Sequence, residues 1–524
     1  MEQQIEKTQV LILGGGITGL TAALYLAQQG VEFILVEKHK GTSVYPRART
    51  IDVRTMELFR GLGINEDLRE GGKALAPAWG IIRGNNLMEA LQNPVGKITP
   101  SQLMEAQKEM KCFAEKSPET VCRCTQDISE AIICKTANDQ GLDLRFNHHL
   151  LFFEQYENEV EILVENRVTG VKYRIIADYM IAADGANSLV RKQLNIQVSG
   201  NGSWTDLLNI YFEADLELLV KGREFSQFLI DTPEITGFLL TINNKDRWAF
   251  HLRFHPENGE TLTNYPEEKL ISILRYILGI PDLKISILRV LPWQLTVIIA
   301  NKMRVNRIFL AGDAAHTMTP YAGKGANSGV QDVQNLAWKL AAVLKNGAGD
   351  ALLDTYHTER QQVGAYYATL SGELADKNGL INSVLMVTKA KDLMGLPDYG
   401  YSSPAVEREA NLPFNYFVGE PGTRIPHLWL NEANTISSLD WIKGHFVLIV
   451  NSREGWQVEC DKVGQQLNIN IQLVILYGQN ILEKWKEITN TINDEALLIR
   501  PDDFVAAKLT AGNLLNVMQS ILSK

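Results

Sequence analysis

Three glycines, Gly14, Gly16 and Gly19, stand in the stretch TQVLILGGGITGLTAALYLAQQGVEFILVEK at residues 8–38. They lie between an apolar, strand-forming run and a segment with helical spacing, so backbone N–H groups at the helix start can face a pyrophosphate. Glu37 ends the next apolar run about twenty residues on, where an acid accepts the hydroxyls of a ribose. Thr18 inside the turn and Lys38 beside the acid complete this candidate set. A second concentration of chemistry is LAGDAAHTMTPYAGKGANSGVQDVQNLAWKL at 310–340. Asp313 sits in a tight turn, where it should face a ligand hydroxyl. The stretch Pro320, Gly323, Gly325, Ala326, Asn327 can present successive N–H groups at the start of a helix, an array that stabilises negative charge. His316 has no second imidazole or cysteine at metal-ligand spacing, which argues against a metal centre. A two-ended ligand explains both stretches, its ADP half over the first turn and its other half against Asp313 and the 323–327 loop. FAD has that shape.

Those residues need elements to hold them. The first stretch reads as strand 9–13, helix 17–28 and strand 32–36, a βαβ unit. In YPRARTIDVRTMELFRGLGI, Asp52 can N-cap a helix with Met56, Phe59 and Leu62 inward and Gly63 past its end. Arg47, Arg49 and Arg54 cluster there; alone they would be a solvated charged face, and beside a pyrophosphate they become candidate anion contacts. VCRCTQDISEAIICKTAND predicts a strand followed by a helix carrying Gln126. Strands near 142–153, 159–166 and 171–182 follow, the last running into an acid-glycine turn, Asp184 and Gly185, and a helix at 187–194. Residues 205–300 alternate apolar and polar, the pattern of an antiparallel sheet with one face buried and the other free to line a pocket. A strand at 307–313 and a helix with Val330, Val333, Leu336, Leu340 and Val343 inward come next, and from about 426 a separate small α/β rhythm begins.

A chain of 524 residues exceeds what one core serves and can house a large ligand. Its 51 basic and 61 acidic residues leave a net charge of −10 with no concentrated basic tract, which argues against nucleic-acid binding. Five cysteines, at 112, 122, 124, 134 and 460, form no CxxC pair and fit a reducing compartment. The start has no basic n-region, and its apolar run is broken by glycines where a signal or spanning helix would want leucine. A cytoplasmic enzyme with no membrane segment is expected, monomer or homodimer left open.

GGGITGL with Glu37, PRARTIDVRTMELFR, CTQD at 124–127, AADGANSLVR and the 310–340 stretch resemble, in order, the motifs of the class A flavoprotein monooxygenases, the aromatic hydroxylases. RIPHLWL and ALLIRPDDFVAA resemble the C-terminal thioredoxin-like domain of polyketide aromatic hydroxylases and phenol-type hydroxylases; with no CxxC there, that domain should be structural. The resemblance implies an α/β fold: a Rossmann-like FAD-binding domain (1–75, 101–198 and 291–400), an inserted antiparallel-sheet substrate domain (76–100 and 199–290) and a thioredoxin-like domain (415–524). It also implies roles. Gly14, Gly16, Gly19 and Glu37 would hold the ADP half of FAD, Arg47 would lie near the pyrophosphate and flavin, and Gln126 would contact the cofactor. Asp184 and Gly185 would serve FAD and the nicotinamide, Asp313 the ribityl chain, Pro320 the flavin face, and the N–H groups of Gly325, Ala326 and Asn327 its pyrimidine edge. The implied reaction uses NADPH or NADH to reduce FAD and O₂ to form a C4a-hydroperoxide, which passes one oxygen to an electron-rich aromatic ring.

The substrate, on that reading, is polycyclic, polyketide or phenolic. Tyr211, Phe212, Phe228, Phe238, His251 and Arg253 are candidate pocket residues on the predicted sheet, and no catalytic acid or base stands out. Thr319, Ala322 and Lys324 depart from the family pattern; Lys324 either places a cation beside the flavin loop or points to solvent. Other outcomes stay open: Baeyer–Villiger insertion, inactivation of a tetracycline- or rifamycin-like antibiotic, or a flavin-binding scaffold without catalysis. A flavin halogenase is disfavoured because PWQLTVI at 292–298 is no WxWxIP signature, and a flavin-free dehydrogenase leaves the DG and GD segments unexplained.

Overall fold

The computed structural model describes residues 5–92, 115–376, 378–382, 385–386, 389–409, 412–451, 455–492 and 495–523. The boundary expected at 100/101 lies outside them. The apolar run of Ile5–Leu13 forms the middle of an eight-stranded sheet, with Val10, Leu11 and Ile12 fully buried, as suits a strand covered on both faces. Phe33–Glu37 lies parallel to it on one side and Lys172–Ala182 on the other; Ile308–Leu310 then adds in parallel beyond Lys172–Ala182. The helices Ile17–Gln28 and Gly325–Asn346 pack on this sheet through one apolar cluster. The consequence is positional. Four parallel strands end at the same sheet edge, so the glycine turn after Leu13, the acid Glu37, the DG turn after Ala182 and the GD turn after Leu310 converge there.

The second sheet has seven strands, dominated by Val198–Glu213 paired with Ser286–Ala300. Residues 291–300, beyond the expected boundary at 290/291, pair in this sheet, as does the short strand His316–Thr317. Strand alternation divides its side chains sharply. Ile210, Phe212, Phe228, Trp248 and Phe250 pack toward the amphipathic helix Glu267–Leu278. Leu207, Leu229, Phe238, Leu240 and Ala249 point the other way, toward Tyr321, Ala322 and the helix Ala351–Glu373. The second face is therefore not free, as the alternation alone suggested, but roofs the loop that follows the GD turn.

From Phe446 the chain builds a four-stranded sheet in which Ile471–Ile475 runs parallel to Phe446–Val450, and Glu495–Ile499 and Val505–Thr510 are antiparallel. Its core is continuous with Trp338 and Leu352 of the large helices. Buried charges also cross this junction. Arg500 grips Glu359 with two bonds of 2.7 and 2.8 Å, Arg424 reaches Glu57 at 3.1 Å, and Arg54 reaches Asp503 at 3.0 Å. Glu359, Glu57 and Arg54, all buried in the large unit, thus each take a partner of opposite charge from the C-terminal unit. Truncating Arg500 to alanine should leave Glu359 underpaired and cost about 3–5 kcal/mol. Chemical denaturation of the purified variant checks this, and a loss within about 0.5 kcal/mol would show the pair to be dispensable.

Candidate cofactor and substrate site

At the sheet edge the glycines divide into two kinds. A Cβ on Gly14 (φ +111°) would lie 2.3 Å from the Ala183 carbonyl oxygen, and one on Gly19 would lie 1.9 Å from that of Gly14, so both are dictated by close backbone packing. Gly16 is different: it is extended, and a Cβ there would meet only Glu130 Oε1 at 3.6 Å. Its backbone is open to a ligand at the start of the helix. Thr18 lies between helices, its Oγ1 2.6 Å from a Cβ position on Gly312 and 2.2 Å from one on Gly329, joining the first turn to the GD turn. Glu37 folds back over the turn, Oε2 accepting from the Gly15 N–H at 2.7 Å and Oε1 from that of His39 at 2.8 Å. Lys38 is exposed, its carbonyl taken by Arg167.

Glu130 escaped the sequence reading. Its Oε1 accepts from the Ile17 N–H at 3.1 Å and from Gln126 Nε2 at 2.6 Å, and Oε2 accepts from the Ser43 N–H at 2.7 Å. Burial pushes this carboxyl above its usual range. The signal was present as an acid four residues beyond Gln126 on the same helical face. Gln126 itself is turned toward Glu130.

Asp184 Oδ2 accepts from the N–H groups of Leu189 and Val190 at 2.8 and 3.2 Å, while its Oδ1 is buried without a partner. Gly185 takes φ +83° in the turn. Arg191 ties this turn to the next, donating to the carbonyls of Ala186 and Ala314, each at 2.7 Å. Asp313 lies exposed at the rim, with Oδ1 3.6 Å from a Cβ position on Gly325; the atoms packed around its carboxyl push it above the usual range, against the charges of His316, Arg47 and Arg191. His316 is buried and bonds Asp332 Oδ2 through Nε2 at 2.7 Å, a role in holding the loop.

Pro320 begins a single 3₁₀ turn that ends at Gly323 (φ +62°), and the long helix starts at Gly325 with no side-chain cap. The first-turn N–H groups of Gly325, Ala326 and Asn327 are therefore available beyond the helix end. The Asn327 side chain is committed: Nδ2 donates to the Gly323 and Thr50 carbonyls at 2.6 and 3.1 Å, and Oδ1 accepts from the Asp52 N–H at 3.1 Å. Lys324 does not point to solvent. It is 1% exposed and pairs with Asp52 Oδ2 at 2.8 Å, so its charge is already answered within the fold. Thr319 likewise bonds Ser371 through its N–H and hydroxyl.

Above this loop lies the inner face of the second sheet. Phe238 and His251 stack at 4.4 Å, Trp293 donates its indole N–H to His251 Nδ1 at 3.0 Å, and Tyr321 stands edge-on to Phe238 at 5.9 Å. Tyr211 opens onto a cavity of about 360 Å³ between residues 71–75, the start of the helix Gln126–Asp139 and this sheet. Arg253 shares the face, pairing in register with Leu207. Phe228 does not, and neither does Phe212: both lie on the opposite face in the apolar cluster against helix Glu267–Leu278. Their one-residue offset in alternation decides the matter. Thr125 Oγ1, Asp127 Oδ1, Tyr45 Oη and Arg123 Nε are further buried polar atoms without a partner in the chain. Together with the open backbone at Gly16, these unsatisfied atoms fit an elongated polar cofactor of the FAD kind.

The two kinds of glycine should separate experimentally. Gly19→Ala should fail to fold, whereas Gly16→Ala should keep a native circular-dichroism spectrum and lose FAD affinity by about a hundredfold or more, read by flavin fluorescence titration. A pH effect also follows. Burial, then the charge of Arg49, hold the His251 imidazole down to about 3 from an ordinary 6.5. The unfolded chain takes this proton where the folded chain refuses it, so stability is complete above 6.5 and is lost as pH falls through the window toward 3. Thermal midpoints measured across that window should decline, and His251→Phe should flatten the decline.

Comparison with known proteins agrees with this geometry. Residues 7–371 match the family model described as FAD binding domain, and residues 419–523 match that described as aromatic-ring hydroxylase, C-terminal. A tetracenomycin A2 monooxygenase-dioxygenase of Streptomyces glaucescens is 36% identical over 99% of this chain and 97% of its own. Two solved structures, the flavin-dependent monooxygenase PieE with FAD and substrate and an aklavinone-11 hydroxylase with FAD and aklavinone, each superpose with a TM-score of 0.83 at 26% identity, covering 99% of both chains. The chain belongs to the FAD-dependent aromatic-ring hydroxylases, and it is a flavoprotein monooxygenase.

Proposed function

We propose that this enzyme hydroxylates a polycyclic aromatic polyketide bearing phenolic groups, with NADPH or NADH as reductant and O₂ as the oxygen source. The observation that carries the reading is the cavity of about 360 Å³ onto which Tyr211 opens, lined by Leu75, Ile128 and Ile242 with Asp127 and Arg247, on the same sheet face as the enclosed Phe238–His251 stack. A cavity of this size with a mixed apolar and polar lining suits a fused-ring ligand, with few polar groups to fix its orientation. The names of the relatives, tetracenomycin A2 and aklavinone among their substrates, support the same class. FAD, when bound, supplies the hydride acceptance and oxygen activation. The chain supplies binding and orientation. Gly14, Gly16, Thr18 and Gly19 receive the ADP half, Glu37 and Lys38 its ribose side, and Arg47, Gln126, Asp184 and Gly185 the pyrophosphate and the flavin approach. Asp313 takes the ribityl chain, Pro320 and Gly323 the ring face, and the N–H groups of Gly325, Ala326 and Asn327 the pyrimidine edge. A helix start there favours the negative charge of a reduced flavin. Tyr211, Phe238, His251 and Arg253 lie on the substrate side. The enzyme works in the cytoplasm, as a monomer or homodimer.

The test is to purify the yellow holoenzyme and follow NADPH, NADH and O₂ consumption with a panel of polycyclic phenols, with products identified by mass. The expected result is oxidation accelerated by one or more phenols, each yielding the phenol plus one oxygen. Bound FAD with oxidation that no phenol accelerates would instead identify a flavin-binding scaffold, and ring expansion to a lactone would identify a Baeyer–Villiger enzyme.

A further inference from the structure

His251 stands on the inner face of the second sheet with one ring nitrogen settled and the other not. Trp293 donates its indole N–H to His251 Nδ1 at 3.0 Å. An indole nitrogen donates and cannot accept, so Nδ1 is the bare nitrogen and the ring proton sits on Nε2. Burial, then the charge of Arg49, hold this imidazole down to about 3, so at neutral pH it carries that one proton only. The plane is fixed as well: the ring stacks on Phe238 at 4.4 Å with 14° between the planes and meets Trp293 edge-on at 81°. His251 is 8% exposed, yet among the described residues nothing accepts from Nε2. Asn209 lies directly opposite on the neighbouring strand, in register with His251, and its Oδ1 is likewise buried without a partner. Two adjacent polar groups left unpaired oppose folding, and a polar ligand between them removes the penalty.

Their surroundings say what that ligand offers. Asn209 is two residues before Tyr211 on the same face of one strand, so the pair lies one side-chain step, about 7 Å, from the cavity that Tyr211 lines. On its other side Phe238, the stacking partner of His251, meets Tyr321 of the flavin-side loop at 5.9 Å. We propose that His251 is a specificity-determining residue whose Nε2–H donates to a ring carbonyl of the substrate, and that Trp293 is the positioning residue that holds it in this tautomer. This rests on the hydroxylase reading above and adds to it a feature of the substrate, a quinone or ketone oxygen on the ring system. A carbonyl is the acceptor that suits a neutral N–H, because a phenol oxygen gives its lone pair to the ring and accepts weakly. The imidazole cannot in turn receive a hydroxyl proton, since Nδ1 is already taken by Trp293. The positive charge of Arg49, which acts on the ring, favours the oxygen end of a carbonyl dipole. No proton is transferred and no bond is broken on binding.

The test uses the FAD-loaded holoenzyme and a matched pair of probes, 1-hydroxyanthraquinone and 1-hydroxyanthracene, which share their fused rings and hydroxyl and differ in the ring carbonyls. Dissociation constants are read from quenching of tryptophan fluorescence. His251→Phe keeps a flat ring and removes the donor, so it should weaken 1-hydroxyanthraquinone about tenfold and change 1-hydroxyanthracene by less than about twofold. His251→Gln, which retains an N–H donor, should restore most of the affinity. Trp293→Phe should lower the same preference for the quinone about threefold, since the proton is then free to sit on either nitrogen. Nitrogen NMR of protein with isotope-labelled histidine reads the tautomer: the His251 signals, identified by their loss in His251→Phe, should show the proton on Nε2 in wild type and shared in Trp293→Phe. FAD content, read from the flavin absorbance, reports whether each variant is folded, and Trp293→Phe carries the comparison if His251→Phe is not. A proton on Nδ1 in wild type overturns the proposal, and so does an equal loss of both probes in His251→Phe, which marks packing alone; either result leaves the hydroxylase reading intact. Unchanged affinities overturn it too, and a shifted flavin midpoint potential beside them assigns the donor to the flavin. If neither probe binds, the KM values of the accelerating phenols with and without a ring carbonyl take their place. If no phenol accelerates NADPH oxidation, the substrate reading and this proposal fall together.

Discussion

Asp332 has no solvent to turn to, and the geometry of the cofactor edge depends on how its charge is spent. One oxygen accepts from the Gly312 N–H at 3.0 Å and from His316 Nε2 at 2.7 Å; the other accepts from Arg360 Nε at 2.9 Å. These opposite charges and hydrogen bonds hold the carboxylate below its usual range despite full burial. A single side chain on the long helix thereby fixes the turn that carries Asp313, the strand that carries His316 and the neighbouring helix that carries Arg360. Arg360 continues outward to the Tyr401 hydroxyl at 3.0 Å, and Tyr401 stacks on Phe504 at 4.2 Å. The GD turn is in this way connected through packed, satisfied polar groups to the C-terminal unit. That is a physical account of why a unit with no redox cysteines belongs to this enzyme: it completes the charge balance behind the flavin-side loop.

Much of this was legible in the sequence because backbone sterics write directly into residue type. Gly14 and Gly19 have to be glycine where two backbones touch, and the periodicity switch from the strand at 10–13 to the helix at 17–28 locates the turn. The αβ order of the first unit, the DG turn and the helix after the GD turn followed from the same signals. What was not legible shares one property: it depends on partners far away in the chain. Glu130 reads as an ordinary surface acid of an amphipathic helix until Ile17 and Ser43 are folded against it, 113 and 87 residues away. Lys324 reads as a solvated cation until Asp52, 272 residues away, is placed beside it.

The sheet residues failed differently. Alternation correctly separates two faces of 205–254, but it cannot say which face meets the cofactor unit when both are buried. Phe228 and Phe238 are chemically identical and both fully enclosed; only the helix Glu267–Leu278, covering one side, distinguishes them. The long strand Ser286–Ala300 crosses what looked like a boundary because a strand pairs by hydrogen bonds and not by domain. Its partners from Val198 to Glu213 hold it in the second sheet until the chain turns into the first.

Charge is where structure and function part company in this chain. A net charge of −10 suggests an unhelpful field for anionic ligands, yet that sum says nothing about local potential. The buried carboxylates Glu57, Asp332, Glu359 and Asp503 each meet an arginine, because an unpaired buried charge is among the costliest features a fold can carry. Lys324 obeys the same rule through Asp52 although it sits one residue from the flavin-side helix start. With those charges answered within the fold, the helix that starts at Gly325 without a side-chain cap presents its positive first-turn dipole to the flavin-side loop. Low dielectric between the sheet face and the loop gives that dipole a reach it would lack on the surface. A local field of that sign follows from where a helix begins, and the sum of charges over the whole chain neither predicts nor opposes it.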